Sequence, residues 1–196
     1  MKQLFITSAF VLLSLLSYSQ DQKWSVEANY PIQLIKDRSD PKLAFDTSLK
    51  YRFLNTDLVH LGLDFNIGFE RYKPGVNNDD TFKFTNYILQ PKVFAEFDLP
   101  FVPKLHPVVG LGYSVFFYEQ SGSISGVQLN SDNNSDGGFN LELGVTYDIS
   151  KRFFIQAKYD YIRLHNKGVS TIDGESFSYN FTDNIDRLKV GVGLRF

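Results

Sequence analysis

The chain of 196 residues is nearly neutral, with 20 Lys and Arg against 22 Asp and Glu, and it contains no cysteine. Near neutrality without a dense basic run argues against a nucleic-acid partner. The absence of cysteine excludes disulfide bonds, thiolate metal sites and lipidation of an N-terminal cysteine. Aromatic residues make up 16% of the chain, and its length suits one domain with a sizeable core.

The first twenty residues have the layout of an export signal. Lys2 supplies the charged start, an apolar stretch follows from Leu4 to Leu16, and small residues come near the end. This layout predicts a cleavable signal peptide over 1–19 and a single domain over 20–196. The apolar stretch is shorter than the roughly 20 residues of a transmembrane helix. A place in a membrane would therefore require strands.

Alternation of apolar and polar residues with a period of two dominates the rest of the sequence and recurs in eight runs. In chain order, these predicted strands are 24–34, 43–53, 59–70, 87–97, 109–117, 139–149, 153–161 and 187–196. Each run has one face of large apolar residues and one of charged, polar or glycine residues. The fourth run is less regular, because Ile88 and Phe94 interrupt its polar face.

The connections between the runs alternate between short turns and longer polar links. The longest, Gln120–Gly137 and Arg163–Thr182, are rich in Ser, Asn, Asp and Gly and are predicted as loops. Short turns that alternate with longer loops are typical of outer-membrane barrels, whose short turns and termini face the periplasm. The sequence therefore predicts an all-β fold, an eight-stranded antiparallel up-and-down transmembrane β-barrel.

The composition of the two faces indicates which one points inward. Eight strands enclose an interior just wide enough for side chains, which suits glycines and paired charges better than rows of Phe, Leu and Tyr. Charges there must be balanced. The predicted lumen charges are Glu27, Asp46, Asp64, Glu70, Glu96, Glu142, Asp148 and Asp160 against Lys50, Arg52, Lys92, Lys158, Arg163, Arg187, Lys189 and Arg195. The alternative is a soluble barrel with a solvated polar exterior.

The last run reads LKVGVGLRF over 188–196 and ends on the aromatic residue Phe196. With the export signal and the eight runs, it resembles the small outer-membrane β-barrel domain family, which includes PorT-like proteins and is similar in architecture to the transmembrane domains of OmpA and OmpX. The resemblance implies a place in the outer membrane of a Gram-negative cell. It also implies that Phe196 belongs to the signal read by the barrel-assembly machinery. Family members do diverse jobs, so the function stays open.

The three histidines are the obvious candidates for acid–base chemistry. His60 and His106 fall near predicted periplasmic strand ends and His165 begins an external loop, so their predicted sites are far apart. A lipid hydrolase needs a Ser beside a His with an orienting carboxylate, and the sequence around His165 offers none. The prediction is that the protein is not an enzyme.

One loop segment resembles part of a cation site. Asp132, Asn134 and Asp136 match the first half of a calcium-binding loop, but the position that should hold a bidentate Glu is Leu143. Because Asn, Asp and Ser are also ordinary loop residues, no metal and no cofactor is predicted.

Four functions remain open. The first is a monomeric structural or interaction barrel that lies among outer-membrane lipids, has a filled lumen and engages an extracellular protein or surface through its loops. The alternatives are a small-solute channel, a lipid-modifying enzyme and a soluble periplasmic ligand-binding barrel.

Overall fold

The computed structural model describes residues 22–34, 41, 43–72, 83–124, 127–129, 133–172 and 175–196. These residues form the strands β1 (Trp24–Gln33), β2 (Leu43–Asn55), β3 (Val59–Tyr72), β4 (Lys83–Phe97), β5 (Leu105–Ile124), β6 (Val127–Leu129), β7 (Asn133–Asp148), β8 (Phe153–Ile172) and β9 (Glu175–Arg195). Across these ranges, no helix is long and apolar enough to span a membrane.

Eight of the strands close into a barrel. The antiparallel order runs from β4 through β3, β2, β1, β9, β8 and β7 to β5, and β4 pairs with β5 to complete the ring. The short β6 pairs with β5 outside this ring. The predicted fold, an all-β eight-stranded antiparallel barrel, is confirmed.

Side-chain orientation follows the two-residue period of the strands. In β1, every second residue is buried. Glu27 is 1% exposed inside the barrel, whereas Val26 and Tyr30 on the outer face are 43% and 53% exposed. An apolar exterior around a polar interior is the reverse of a soluble barrel and is the arrangement that lipid requires.

Short turns gather at one end of the barrel. Three of them link β2 to β3, β4 to β5 and β7 to β8. The last residue lies at the same end, because Trp24 and Phe196 exchange two backbone hydrogen bonds of 3.0 and 2.9 Å. This end corresponds to the predicted periplasmic side.

At the opposite end, the strands are much longer than predicted. β5 continues to Ile124 and β7 begins at Asn133, while β8 and β9 stay paired up to Ile172 and Glu175. The predicted loops Gln120–Gly137 and Arg163–Thr182 are therefore wrong over most of their length. Ser, Asn, Asp and Gly favour loops only where the backbone has no partner strand, and here it has one.

The alternation changes phase in these extensions. Val192 of β9 and Ile155 of β8 point outward, at 57% and 43% exposed. Further along the same strands, Ile185 and Ile162 point inward and are 3% exposed or less, while Asn184 is exposed on the outside. Along β8 and β9, the part near the short turns thus has the pattern of a membrane protein, and the part toward the extensions has that of a soluble barrel.

Candidate functional site

A closed ring of six alternating charges crosses the lumen. Its members come from six strands and follow the order Glu27, Lys50, Asp64, Lys92, Glu142 and Lys158. Neighbouring nitrogen and oxygen atoms lie 2.5 to 3.9 Å apart, and the last lysine closes the ring on Glu27 at 2.5 Å. Each side chain is at most 1% exposed. Every charge in the ring therefore has two partners of opposite sign.

A second cluster lies next to this ring. Lys189 contacts Asp46 and Asp160 at 3.0 Å each. Arg187 reaches the same Asp160 at 2.8 Å and Glu70 at 3.2 Å. All five side chains are at most 2% exposed. The cluster joins β2, β3, β8 and β9 through ion pairs across the lumen.

An apolar plug fills the lumen beyond this cluster, toward the long strand extensions. It consists of Ile88, Phe116, Ile162, Leu164 and Ile185, each at most 3% exposed. The guanidinium carbon of Arg187 lies 5.9 Å from the centre of the Phe116 ring, so the charged and apolar layers are in contact. Ile88, which interrupts a polar run in the sequence, belongs to this plug.

On the turn side of the ring, Glu96 binds two arginines. Arg52 and Arg195 contact its two carboxylate oxygens at 2.7 and 2.9 Å. The centre of the Phe154 ring lies 4.6 Å from the guanidinium carbon of Arg195. The centre of the Phe94 ring lies 4.8 Å from Nζ of Lys50, a member of the ion ring. The two aromatic rings separate the ion ring from the arginine layer, and cation–π contacts stabilise both.

Charge balance makes this buried set tolerable. Seven carboxylates and seven Lys or Arg side chains are buried in the described lumen. Because an unpaired buried charge costs several kcal/mol, a network of equal numbers is required for a stable interior.

The lumen opens at the turn side into a mouth. A cavity of about 310 Å³ is lined there by His60, Asp98, His106 and Asp148, on the turn side of the arginine layer. The two carboxylate oxygens of Asp98 contact the two histidines: Oδ2 lies 2.8 Å from Nε2 of His60, and Oδ1 lies 2.6 Å from Nδ1 of His106. The prediction that these histidines lie far apart is wrong. They are on β3 and β5, which flank β4, and the carboxylate that follows β4 reaches both.

Some other predicted residues have different surroundings. Arg163 was expected in the lumen, but it is exposed on the outer face of β8. Residues 159, 161 and 163 share one face of β8, because side chains alternate along a strand with a period of two. Tyr159 and Tyr161 face outward, so Arg163 does as well. Phe196 pairs through its backbone with Trp24 at the seam of β1 and β9.

The suggested calcium loop is not a loop in its described part. Asn134 and Asp136 belong to β7, and Asp132 lies outside the described residues. Asp136 is hydrogen-bonded to Tyr118 of the neighbouring strand. No cluster of three His, Asp or Glu side chains able to hold a metal occurs within the described ranges.

Comparisons with known proteins agree with this architecture. The profile of the family described as "Outer membrane protein beta-barrel domain" matches residues 5–196. No curated protein gives a significant match.

Solved structures share the fold at low sequence identity. The N-terminal β-barrel domain of OprF from Pseudomonas aeruginosa is 16% identical with a TM-score of 0.54, and the match covers 88% of this chain and 96% of that one. Neisserial surface protein A is 19% identical with a TM-score of 0.52 over the same shares. Ail of Yersinia pestis is 16% identical with a TM-score of 0.52, again over 88% and 96%. Since the family profile spans nearly the whole sequence, this chain belongs to the outer membrane protein β-barrel domain family and resides in the outer membrane.

Proposed function

We propose that this protein is a closed structural and interaction barrel, which engages an extracellular protein or surface through its long strand extensions and conducts no solutes. It works as a monomer among outer-membrane lipids, without catalysis or a cofactor. The observation that carries the proposal is the filled lumen. Paired charges and an apolar plug occupy its interior beyond the mouth.

A solute crossing this interior would have to break several layers in succession. It would separate Arg52 and Arg195 from Glu96, open the ion ring and then displace the plug that contains Phe116 and Ile162. Each opened ion pair leaves buried charges without partners. The polar lumen is therefore better suited to holding the strands together than to transport.

The outer end carries a feature suited to contact. β8 and β9 remain paired up to Ile172 and Glu175, whereas the pairing of β8 with β7 ends at His165 and that of β9 with β1 ends at Arg187. We call residues 166–172 and 175–185 the β8–β9 ribbon. Within the described residues, no third strand pairs with it, so its edges can accept hydrogen bonds from a partner.

The outward face of the ribbon is polar along the part of β9 whose side chains the structure describes. Ser178, Asn180, Thr182 and Asn184 alternate along β9 and are exposed. A polar face beside edges that pair with no third strand in the described ranges fits reversible contact with a protein or glycan surface better than burial in lipid. Among barrels of similar fold, Ail of Yersinia pestis has been solved in complex with the heparin analogue sucrose octasulfate.

Conductance tests the closed lumen. The protein, refolded and inserted into planar bilayers, is expected to give no stable conductance steps. A stable open channel would instead favour transport, the second candidate, which the polar lumen and the cavity at the mouth would then serve.

Shortening the ribbon tests the interaction. Because His165 and Thr182 are register partners, residues 166–181 can be replaced by Asn-Gly, a two-residue hairpin turn. Cells that express this variant are expected to lose adhesion to immobilised heparin or to extracellular-matrix proteins. A variant with the order of residues 166–181 scrambled controls for loop length. Equal adhesion of wild-type cells and cells lacking the protein would refute the interaction role.

An enzymatic role has weaker support. Nδ1 of His165 lies 3.2 Å from the Thr182 hydroxyl, but both side chains are exposed. Nucleophilic catalysis works in enclosed sites where a third group orients the base. Unchanged lipid A in mass spectra after overexpression is the expected result.

A further inference from the structure

His106 bridges two carboxylates at the periplasmic mouth. Its Nδ1 lies 2.6 Å from Oδ1 of Asp98, and its Nε2 lies 3.1 Å from Oδ2 of Asp148. An ionised carboxylate can only accept hydrogen bonds, and a neutral imidazole has only one N–H to donate. Both contacts exist together only when His106 carries two protons and a positive charge.

His60 at the same mouth is different. Its Nε2 lies 2.8 Å from Asp98, but its Nδ1 faces the side-chain amide of Asn55 at 3.1 Å. An amide can present either its oxygen or its nitrogen. The neutral form of His60 therefore satisfies both contacts, and this residue provides a matched control for His106.

The two carboxylates belong to different turns. Asp98 follows β4 at the start of the β4–β5 turn, and Asp148 is the last residue of β7 before the β7–β8 turn. The β4–β5 turn is otherwise held by a few backbone hydrogen bonds, including Leu105 N–H to Val102 and Asp148 N–H to Lys104. Charged His106 thus connects two turns that form the rim of the cavity.

The charged groups around His106 balance only when it is protonated. Asp98, Asp148 and Glu96 contribute three negative charges, and Arg52 and Arg195 contribute two positive ones. These groups come from β2, β4, β7, β9 and the β4–β5 turn, while β3 contributes His60. Counted over these five charges alone, a protonated His106 brings the sum to zero. Loss of its proton leaves one negative charge in excess.

We propose that the periplasmic mouth is a pH-operated latch, in which protonated His106 ties the β4–β5 turn to the end of β7 and releases it as the pH rises. The hydrogen bond to Asp148, aided by the one to Asp98, raises the pKa of His106 above its ordinary value against the effect of burial. Because the folded pKa exceeds the unfolded one, the tie is fully present below the unfolded pKa near 6.5. It is lost as the pH rises through the folded pKa.

Nuclear magnetic resonance of the full chain in lipid nanodiscs tests the latch. The ¹⁵N shifts of the imidazoles report their protonation, and hydrogen exchange of the Val102 and Leu105 amides reports opening of the turn. The protection factors are corrected for the intrinsic pH dependence of exchange. They are expected to fall by about tenfold for each pH unit of increase between the unfolded and the folded pKa of His106. His106→Gln is expected to abolish this pH dependence, and His60→Gln to retain it.

A second variant keeps the test decisive if His106→Gln does not fold. Asp148→Asn removes one carboxylate acceptor and is expected to lower the pKa of His106 and shift the opening to lower pH. A neutral His106 at pH 6.5 in the wild type would overturn the latch. So would protection that changes with pH equally in wild type and His106→Gln.

Discussion

Glu27 and Lys158 are 131 residues apart in sequence and form an ion pair of 2.5 Å inside the lumen. Their strands, β1 and β8, are not neighbours, because β9 lies between them. β9 contributes Gly191 and Gly193 at this level, where a Cβ would come within 2.1 Å of Asn29 and 2.0 Å of Phe154. The glycines leave space for inward side chains of the two flanking strands.

Removal of one member of this pair is expected to destabilise the barrel strongly. Lys158→Met leaves Glu27 short of one partner in a buried site, at a cost of about 3 to 5 kcal/mol in the free energy of unfolding. The double variant Glu27→Gln with Lys158→Met is expected to recover part of the loss, because no excess charge remains. Urea unfolding in detergent, followed by fluorescence of the single tryptophan, measures both.

Lys151→Met serves as the control, because this lysine is exposed in the β7–β8 turn. Its unfolding midpoint should stay near that of the wild type. Equal destabilisation by Lys151→Met and Lys158→Met would show that the ring contributes nothing specific.

Two lumen-facing glycines of β5 are expected to differ sharply. A Cβ at Gly112 would lie 2.2 Å from the backbone oxygen of Pro91, whereas a Cβ at Gly110 would meet its nearest atom, in Glu142, at 3.3 Å. Gly112→Ala is expected to cost about 1 to 3 kcal/mol through overpacking. Gly110→Ala should cost clearly less. Comparable unfolding midpoints for the two variants would contradict the close approach of β4 and β5.

The apolar plug can be compared with the lipid face through two isoleucines of β8. Ile162 is fully buried in the plug, while Ile155 is 43% exposed on the outside. Both changes to Ala remove the same apolar atoms, but only Ile162→Ala leaves a cavity, because lipid tails can fill the space at 155. Ile162→Ala is therefore expected to cost more, by about 1 kcal/mol or above.

The charged layers below the plug remain intact in that variant. Planar-bilayer recordings of Ile162→Ala should accordingly stay silent. Conductance in this single variant would indicate that the plug alone closes the lumen.

The assembly role of Phe196 remains a prediction. Phe196→Ala is expected to reduce the heat-modifiable, folded form in outer-membrane extracts of cells while refolding in detergent stays normal, because a recognition signal matters only where the assembly machinery acts. Phe101→Ala, at a turn residue 79% exposed, is the control. A matching defect in detergent refolding would assign Phe196 to stability instead.

The barrel itself was predictable because its lower part obeys one simple pattern. Glu27 and Val26 differ in polarity and point to opposite sides of the same strand, and this contrast recurs around the barrel, with Ile88 and Phe94 of β4 as exceptions. The pattern also identified inward charges such as Asp64 and Lys92. It could not pair them, because partners in the ring depend on the stagger of the strands and on side-chain length.

The remaining errors have separate physical causes. The extensions of β8 and β9 were missed because polar residues there keep their backbone pairing through a neighbouring strand. The shared contact of His60 and His106 was missed because a single residue beyond β4, Asp98, reaches both. Arg163 could have been placed correctly, since its position has the parity of outward-facing Tyr161.

The change of phase near Ile162 and Ile185 has a consequence for how the protein sits in its membrane. The outward face changes there from apolar to polar, so the position of this switch along β8 and β9 sets the depth at which lipid headgroups meet the barrel. The sequence of β8 and β9 therefore determines how deeply the barrel is inserted in the membrane. A shift of the switch by two residues would raise or lower the whole ribbon by roughly one strand repeat, about 7 Å, relative to the cell surface.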